Sequence, residues 1–200
     1  MCKDLFKIEN YDVKAYNCYA FSSSKTVKNG ISLRVGNMVG GFPFEVNGIP
    51  FYTSESAYIC GAFSNDTPEH KAIQKELADC KNGFVAKKFI RKPHEREKRD
   101  DWEKYNVEWM KYVVWCKCNN PEFARLLLSI PAGCDIVEDS TSQRSTTASF
   151  WGVVNGVGSN VMGKILMNCR DCLMAVRSPE IDFNLLNEKN IWILGKKLIF

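Results

Sequence analysis

Two acidic residues stand where a carboxylate could do chemistry. Glu55 follows a hairpin signal and falls in the first turn of an expected helix, where the helix dipole steadies negative charge. Glu138, with Asp139 beside it, follows a short apolar run and opens a polar loop. Each has a plainer reading: a helix-start acid for Glu55, and a turn cap for Glu138-Asp139. Two carboxylates from separate elements suit glycosidic chemistry. One stabilises an oxocarbenium-like centre or activates water, while the other assists the leaving group or orients the sugar.

Other residues suggest what such acids would act on. Phe150-Trp151-Gly152 leads through Gly158 and Asn160 into a helix containing Gly163. The stretch reads as an aromatic–Gly turn and a Gly/Asn loop, whose backbone N–H groups can meet an anion at a helix N-terminus. Trp151 reads as lying outside any helix, where it can stack on a base or sugar face. Trp102 opens an apolar stripe and reads first as core packing. Lys87 and Lys88 precede the mixed-sign run Arg91–Arg99. That run is either a solvated connector or, with the two lysines, a source of cations for a phosphate. A buried lysine there would also suit covalent amine chemistry. Cys116-x-Cys118 and Cys169-x-x-Cys172 fall in helical patterns without a second ligand pair, so they read as core thiols rather than a zinc site. No metal or cofactor is expected.

The elements that must position these residues follow from caps and periodicity. Asn47-Gly48 between Phe42–Val46 and Ile49–Tyr52 signals a two-residue hairpin, with Pro43 and Pro50 suiting edge positions. Thr53 or Ser54 caps a helix carrying Glu55, Tyr58, Ile59 and Phe63. Thr67-Pro68-Glu69 starts another. Asp100 or Asp101 opens a long helix to about Cys118, with Trp102, Tyr105, Trp109, Val113 and Cys116 as its buried stripe. Pro121 opens a short helix. Residues 132–158 form a Ser/Thr/Gly-rich stretch with a strand near Ile136-Val137. Ser159 or Asn160 caps the last major helix, whose apolar face runs from Met162 to Val176. Ile191–Leu194 and Lys196–Phe200 form a strand pair turning at Gly195.

At 200 residues the chain is expected to be one compact domain, residues 1–200. Its net charge of +4 admits a phosphorylated ligand or nucleic acid without requiring either. The opening MCKDLFKIENYDVK has charges where a signal peptide is apolar, and no apolar run is long enough to span a membrane. Nine scattered cysteines suit reduced thiols, so a cytoplasmic protein without membrane partners is expected.

Taken in order, these pieces resemble the NADAR family, also called YbiA-like. The matching elements begin with Gly36-Asn37, Phe42-Pro43-Phe44 and Phe51-Tyr52-Thr53-Ser54-Glu55-Ser56-Ala57-Tyr58. They continue with Ala86-Lys87, Asp101-Trp102, Met110, Lys117, Ile136-Val137-Glu138 and Trp151-Gly152. They end in Gly158-x-Asn160-x-x-Gly163-x-x-Leu166-Met167-x-x-Arg170, and together they cover residues 34–176. The resemblance implies a predominantly helical α+β domain with a small antiparallel sheet. It also implies an N-glycosidase. Some members cleave the ribosyl–nitrogen bond of phosphorylated riboflavin-pathway intermediates; others remove ADP-ribose from modified guanine in nucleic acid. Glu55 and Glu138 match the family's acids. Trp102, Trp151, Gly152, Asn160 and Gly163 match pocket-forming positions. Asn37, Tyr58, Lys87, Lys88, Asp101 and Asp139 complete the expected ligand-binding set.

Four positions depart from the pattern. Ser56 stands where many members have His, Ile59 where many have Gln, Ala62 where many have Lys, and Ala148 where an Asp often precedes the Trp-Gly pair. Asp139, or another acid folded in from the Ser/Thr-rich loop, is the candidate substitute for that acid. The expected ligand is an ADP-ribose or ribose-phosphate conjugate, with ADP-ribosylated guanine in DNA favoured. The alternatives are a riboflavin-pathway intermediate and a non-catalytic binder of ADP-ribose or an NAD derivative.

Overall fold

The computed structural model describes residues 4–22 and 27–200. The chain divides into two compact units, each assembled from separated segments. One comprises the chain up to Gly36 together with Pro121–Pro179; the other comprises Asn37–Asn120 with Glu180–Phe200.

In the first unit, strand Cys18–Phe21 pairs in parallel with strand Asp135–Glu138, from Cys18 opposite Asp135 to Phe21 opposite Glu138. Cys18, Ala20, Val137 and Val153 form a buried cluster beneath Tyr11, Val13 and Ala15. The Val161–Met174 helix packs on Asp135–Glu138 through the face predicted for it, including Met162, Ile165, Leu166 and Cys169. The helix stops earlier than its apolar spacing predicts. Val176 turns to φ 51° and is 93% exposed, so it lies outside the core. Buried Arg170 donates to the carbonyls of Pro131 and Cys134 at 3.0 and 2.9 Å, fixing the turn that feeds the second strand.

In the second unit, strands Phe44–Val46 and Ile49–Phe51 form the predicted hairpin. Asn47 and Gly48 turn at φ 51° and 78°, as a two-residue turn of this kind requires. Thr53 ends the hairpin and caps helix Ser54–Ala62, its Oγ1 accepting from the Ser56 N–H at 3.1 Å. Every residue of that helix is buried. Thr67 caps Pro68–Asp79 in the same way. The long helix expected from Asp100 or Asp101 is interrupted. Trp102–Lys104 is a single 3₁₀ turn, Tyr105 leaves helical geometry at φ −134°, and the α-helix runs Asn106–Lys117. This break lets Tyr105 donate its hydroxyl to the Gly61 carbonyl at 2.7 Å. Trp192–Ile193 and Lys196–Lys197 pair across Leu194-Gly195, as predicted.

Among the described residues the strands form five separate two-stranded ladders, four antiparallel and one parallel. The α+β, mostly helical make-up stands. The small antiparallel sheet is resolved into these pieces, and its one buried central pair is the parallel one. No helix among the described residues is long and apolar enough to cross a membrane.

Candidate active site

Glu55 sits at the second position of the Ser54–Ala62 helix, and its N–H donates to the Asn37 carbonyl at 3.1 Å. It is 6% exposed. Among the described residues its carboxylate accepts no hydrogen bond. Burial pushes its pKa above the ordinary value, and the nearby charges of Lys87 and Arg91 pull it back only in part. Two more polar atoms beside it are buried without a hydrogen-bond partner: Asn37 Oδ1 and Ser54 Oγ. Buried polar groups are ordinarily satisfied, which makes this group of residues the candidate site.

One wall of the site is aromatic. The Tyr58 ring lies 4.9 Å from Trp102, and Trp102 meets Tyr105 edge-on at 5.1 Å. Trp102 is therefore buried in aromatic packing. Burial, then the charge of Glu55, raises the Tyr58 phenol far above its usual range. Gly61 makes this wall fit: a Cβ there would lie 2.4 Å from Trp109 and 2.8 Å from Trp102.

The cationic side comes from the chain that follows Asn82. Gly83–Val85 starts an α-turn capped by Asn82, and Ala86–Arg91 continues as a π-helix, a form concentrated at functional sites. Gly83 lets this segment press inward, since a Cβ there would sit 2.7 Å from Met38 Cα and 3.1 Å from Glu55 Cβ. Lys87 and Arg91 act on Glu55, and Arg91 is also paired with Glu95 at 3.1 Å. Lys88 behaves differently. Its Nζ stands over the rings of Phe84 and Phe89, 5.7 and 5.2 Å from their centroids. Both lysines are exposed, so the burial tied to covalent amine chemistry is missing. Asp101 is committed elsewhere. Burial opposes its charge, but paired hydrogen bonds from Arg99 at 2.9 and 3.1 Å outweigh that and lower its pKa.

The remaining predicted residues lie in the first unit. Glu138 ends its strand, and its N–H donates to Asn160 Oδ1 at 3.0 Å. The Asn160 amide donates in turn to the Ile136 carbonyl at 2.9 Å. Asn160 thus clamps the strand carrying Glu138 from a left-handed backbone at φ 50°, and it does not cap the helix through its side chain. Gly152 and Gly163 allow the same approach: a Cβ would fall 2.3 Å from the Glu138 carbonyl oxygen and 2.1 Å from that of Ile136. The N–H groups of Ser159 and Asn160, predicted to face an anion, donate to Ser149 and Gly152 carbonyls at 2.7 and 3.1 Å. Asp139 accepts from the Thr141 N–H and hydroxyl at 3.2 and 2.6 Å. Trp151 is the last residue of a short helix, Ala148–Trp151, rather than outside any helix, because its N–H donates to Thr147. Its ring remains half-buried against Phe150. Ala148 is buried at the start of that helix.

The chain is similar to a solved structure over most of its length. That structure is the NMR structure of the Escherichia coli protein YbiA, at 22% identity, covering 88% of this chain and 92% of that one with a TM-score of 0.59. The fold is YbiA-like. No protein-family model matches the chain, and no curated protein does. Within the YbiA-like fold, Arg91 and Gly83 are the site residues that sequence reading did not assign. Arg91 was hidden in a charge run, although its i,i+4 spacing from Lys87 places both cations on one helical face.

Proposed function

We propose that the chain is an N-glycosidase that hydrolyses the ribosyl–nitrogen bond of an ADP-ribosylated nucleobase, guanine in DNA being the favoured substrate. The observation that carries this reading is Glu55: a buried carboxylate that accepts no hydrogen bond among the described residues, near the charges of Lys87 and Arg91 and close to Tyr58, whose ring packs on Trp102. Burial favours the protonated form of this carboxyl, the form that can deliver a proton to a leaving nitrogen. The C1′–N bond breaks as water adds to C1′; the base leaves with the proton from Glu55, and the proton released by the attacking water passes to solvent, from which the carboxylate is reprotonated. Lys87 and Arg91 suit the negative charge of a diphosphate. The likeness to YbiA supports the fold in which the family resemblance places these residues. Glu138 is the second candidate acid, held on a rigid strand end.

The test is release of ADP-ribose from ADP-ribosylated guanine DNA by purified protein, followed by chromatography. A riboflavin-pathway ribosylamine phosphate runs in parallel. Glu55→Gln is expected to slow release by about a hundred- to ten-thousandfold. Glu138→Gln belongs in the same assay. The buried Ala148, where the resemblance expects an acid, gives the binder reading its footing. Saturable ADP-ribose binding with no release from either substrate would replace the enzyme with that binder.

A further inference from the structure

Phe84 and Phe89 are 59% and 60% exposed, beside half-exposed Val85 and Met38. Large aromatics grouped on a surface in this way mark contact sites. The two rings lie on one face, because the single Lys88 Nζ stands within 5.7 Å of both centroids. The surrounding chain is cationic. Lys81, Lys87, Lys88, Arg91 and Lys92 fall within residues 81–92, a span without a single acid. Here the aromatics are two and the charges five, the composition of a surface on which bases stack while cations follow a phosphate backbone. The face also borders the candidate site: Gly83, next to Phe84, packs against Glu55 Cβ, and Lys87 acts on that carboxyl.

We infer that the Phe84–Lys88–Phe89 face docks single-stranded nucleic acid, stacking bases on the two rings and passing the strand beside Glu55. The inference rests on the glycosidase reading and says which face of the molecule holds the strand that carries the modified base. A strand held there needs only its modified base to reach the carboxylate, and the phosphates on either side meet Lys81 and Lys92.

The experiment is fluorescence anisotropy of a labelled, unmodified single-stranded DNA oligonucleotide with the full chain, across a salt series. Binding is expected to weaken with salt, with a logarithmic slope of about −0.7 per phosphate contacted. The double variant Phe84→Ala/Phe89→Ala is expected to weaken binding about tenfold or more. Both rings are exposed, so its melting temperature should match that of the parent. Lys88→Glu, a charge reversal on the same face, should weaken binding independently of any packing change. No binding to the oligonucleotide, equal binding by the double variant, or preference for phosphatidylserine vesicles would each overturn the inference. Its failure is separable from failure of the glycosidase reading. Turnover of an ADP-ribosylated guanosine mononucleotide tests the chemistry alone, and oligonucleotide anisotropy tests the face alone.

Discussion

Glu55 is costly to fold. In the unfolded chain its carboxyl ionises near the ordinary value of 4.5; in the folded chain burial raises that value. Below the ordinary value both states carry a proton and Glu55 costs nothing extra. As pH rises toward the raised value, the unfolded state ionises freely while the folded state resists, so stability is lost. Glu55→Gln is therefore expected to raise the melting temperature near neutral pH, with the gain fading as pH falls to about the ordinary value. For a chain of this size each 1 kcal/mol appears as about 2–4 °C. A lower melting temperature at neutral pH would mean that Lys87 and Arg91 more than offset burial. Arg91 supplies a second test. Its charge holds the Glu55 pKa down, so Arg91→Gln should let it climb further. Whichever protonation state the reaction uses, the corresponding limb of the kcat/KM profile should move to higher pH. An unmoved profile would separate Arg91 from the reacting carboxyl.

Elements meet at glycines and at one asparagine. Asn160 joins the helix that begins after it to the strand that ends at Glu138, through bonds of 3.0 and 2.9 Å. Asn160→Ala should cost about 2–4 kcal/mol, since it strands a buried N–H and a buried carbonyl and puts alanine at a positive φ. Denaturant unfolding measures this, and a loss below about 1 kcal/mol would mean that water replaces the clamp. Asn160 also shows how far the sequence could be read. The Asn before an apolar helix was legible as a helix start, because Asn favours such positions. Its bond across to Glu138 was not, because no local spacing reports a contact 22 residues away. The same divide runs through the molecule. Thr53, Thr67 and the Asn47-Gly48 turn act on neighbours within three residues, and they were legible. The parallel pairing of Cys18–Phe21 with Asp135–Glu138 depends on chain that returns after residues 37–120, and nothing local specifies it. The π-helix at Ala86–Arg91 was equally hidden, because its residues also fit an ordinary helix.

At the scale of the molecule, the unit holding Glu55 is closed by a segment from the far end of the chain. Gln74 is the fastening. Buried in the Pro68–Asp79 helix, it donates to the Phe63 and Trp192 carbonyls at 2.7 Å each and accepts from the Leu194 N–H at 2.6 Å. Arg99 adds a bond to the Lys189 carbonyl at 2.8 Å, and Trp192 donates to Ser64 at 2.9 Å. Phe200 packs against Tyr112, Phe183 and Trp109. Gln74 thus ties the loop after the Glu55 helix to the C-terminal strand pair. Gln74→Leu keeps the side chain's bulk but strands three backbone groups, of which the buried Phe63 carbonyl alone costs about 1–3 kcal/mol and the part-buried Trp192 and Leu194 groups less. Hydrogen exchange should then show faster opening in two places, the amides of Trp192–Leu194 and those of the Ser54–Ala62 helix. Deleting residues 180–200 should reproduce the second effect. If the Ser54–Ala62 amides exchange unchanged in both proteins, the C-terminal segment does not support Glu55, and the helix holds its carboxylate through packing with the Pro68–Asp79, Ala86–Arg91 and Asn106–Lys117 helices.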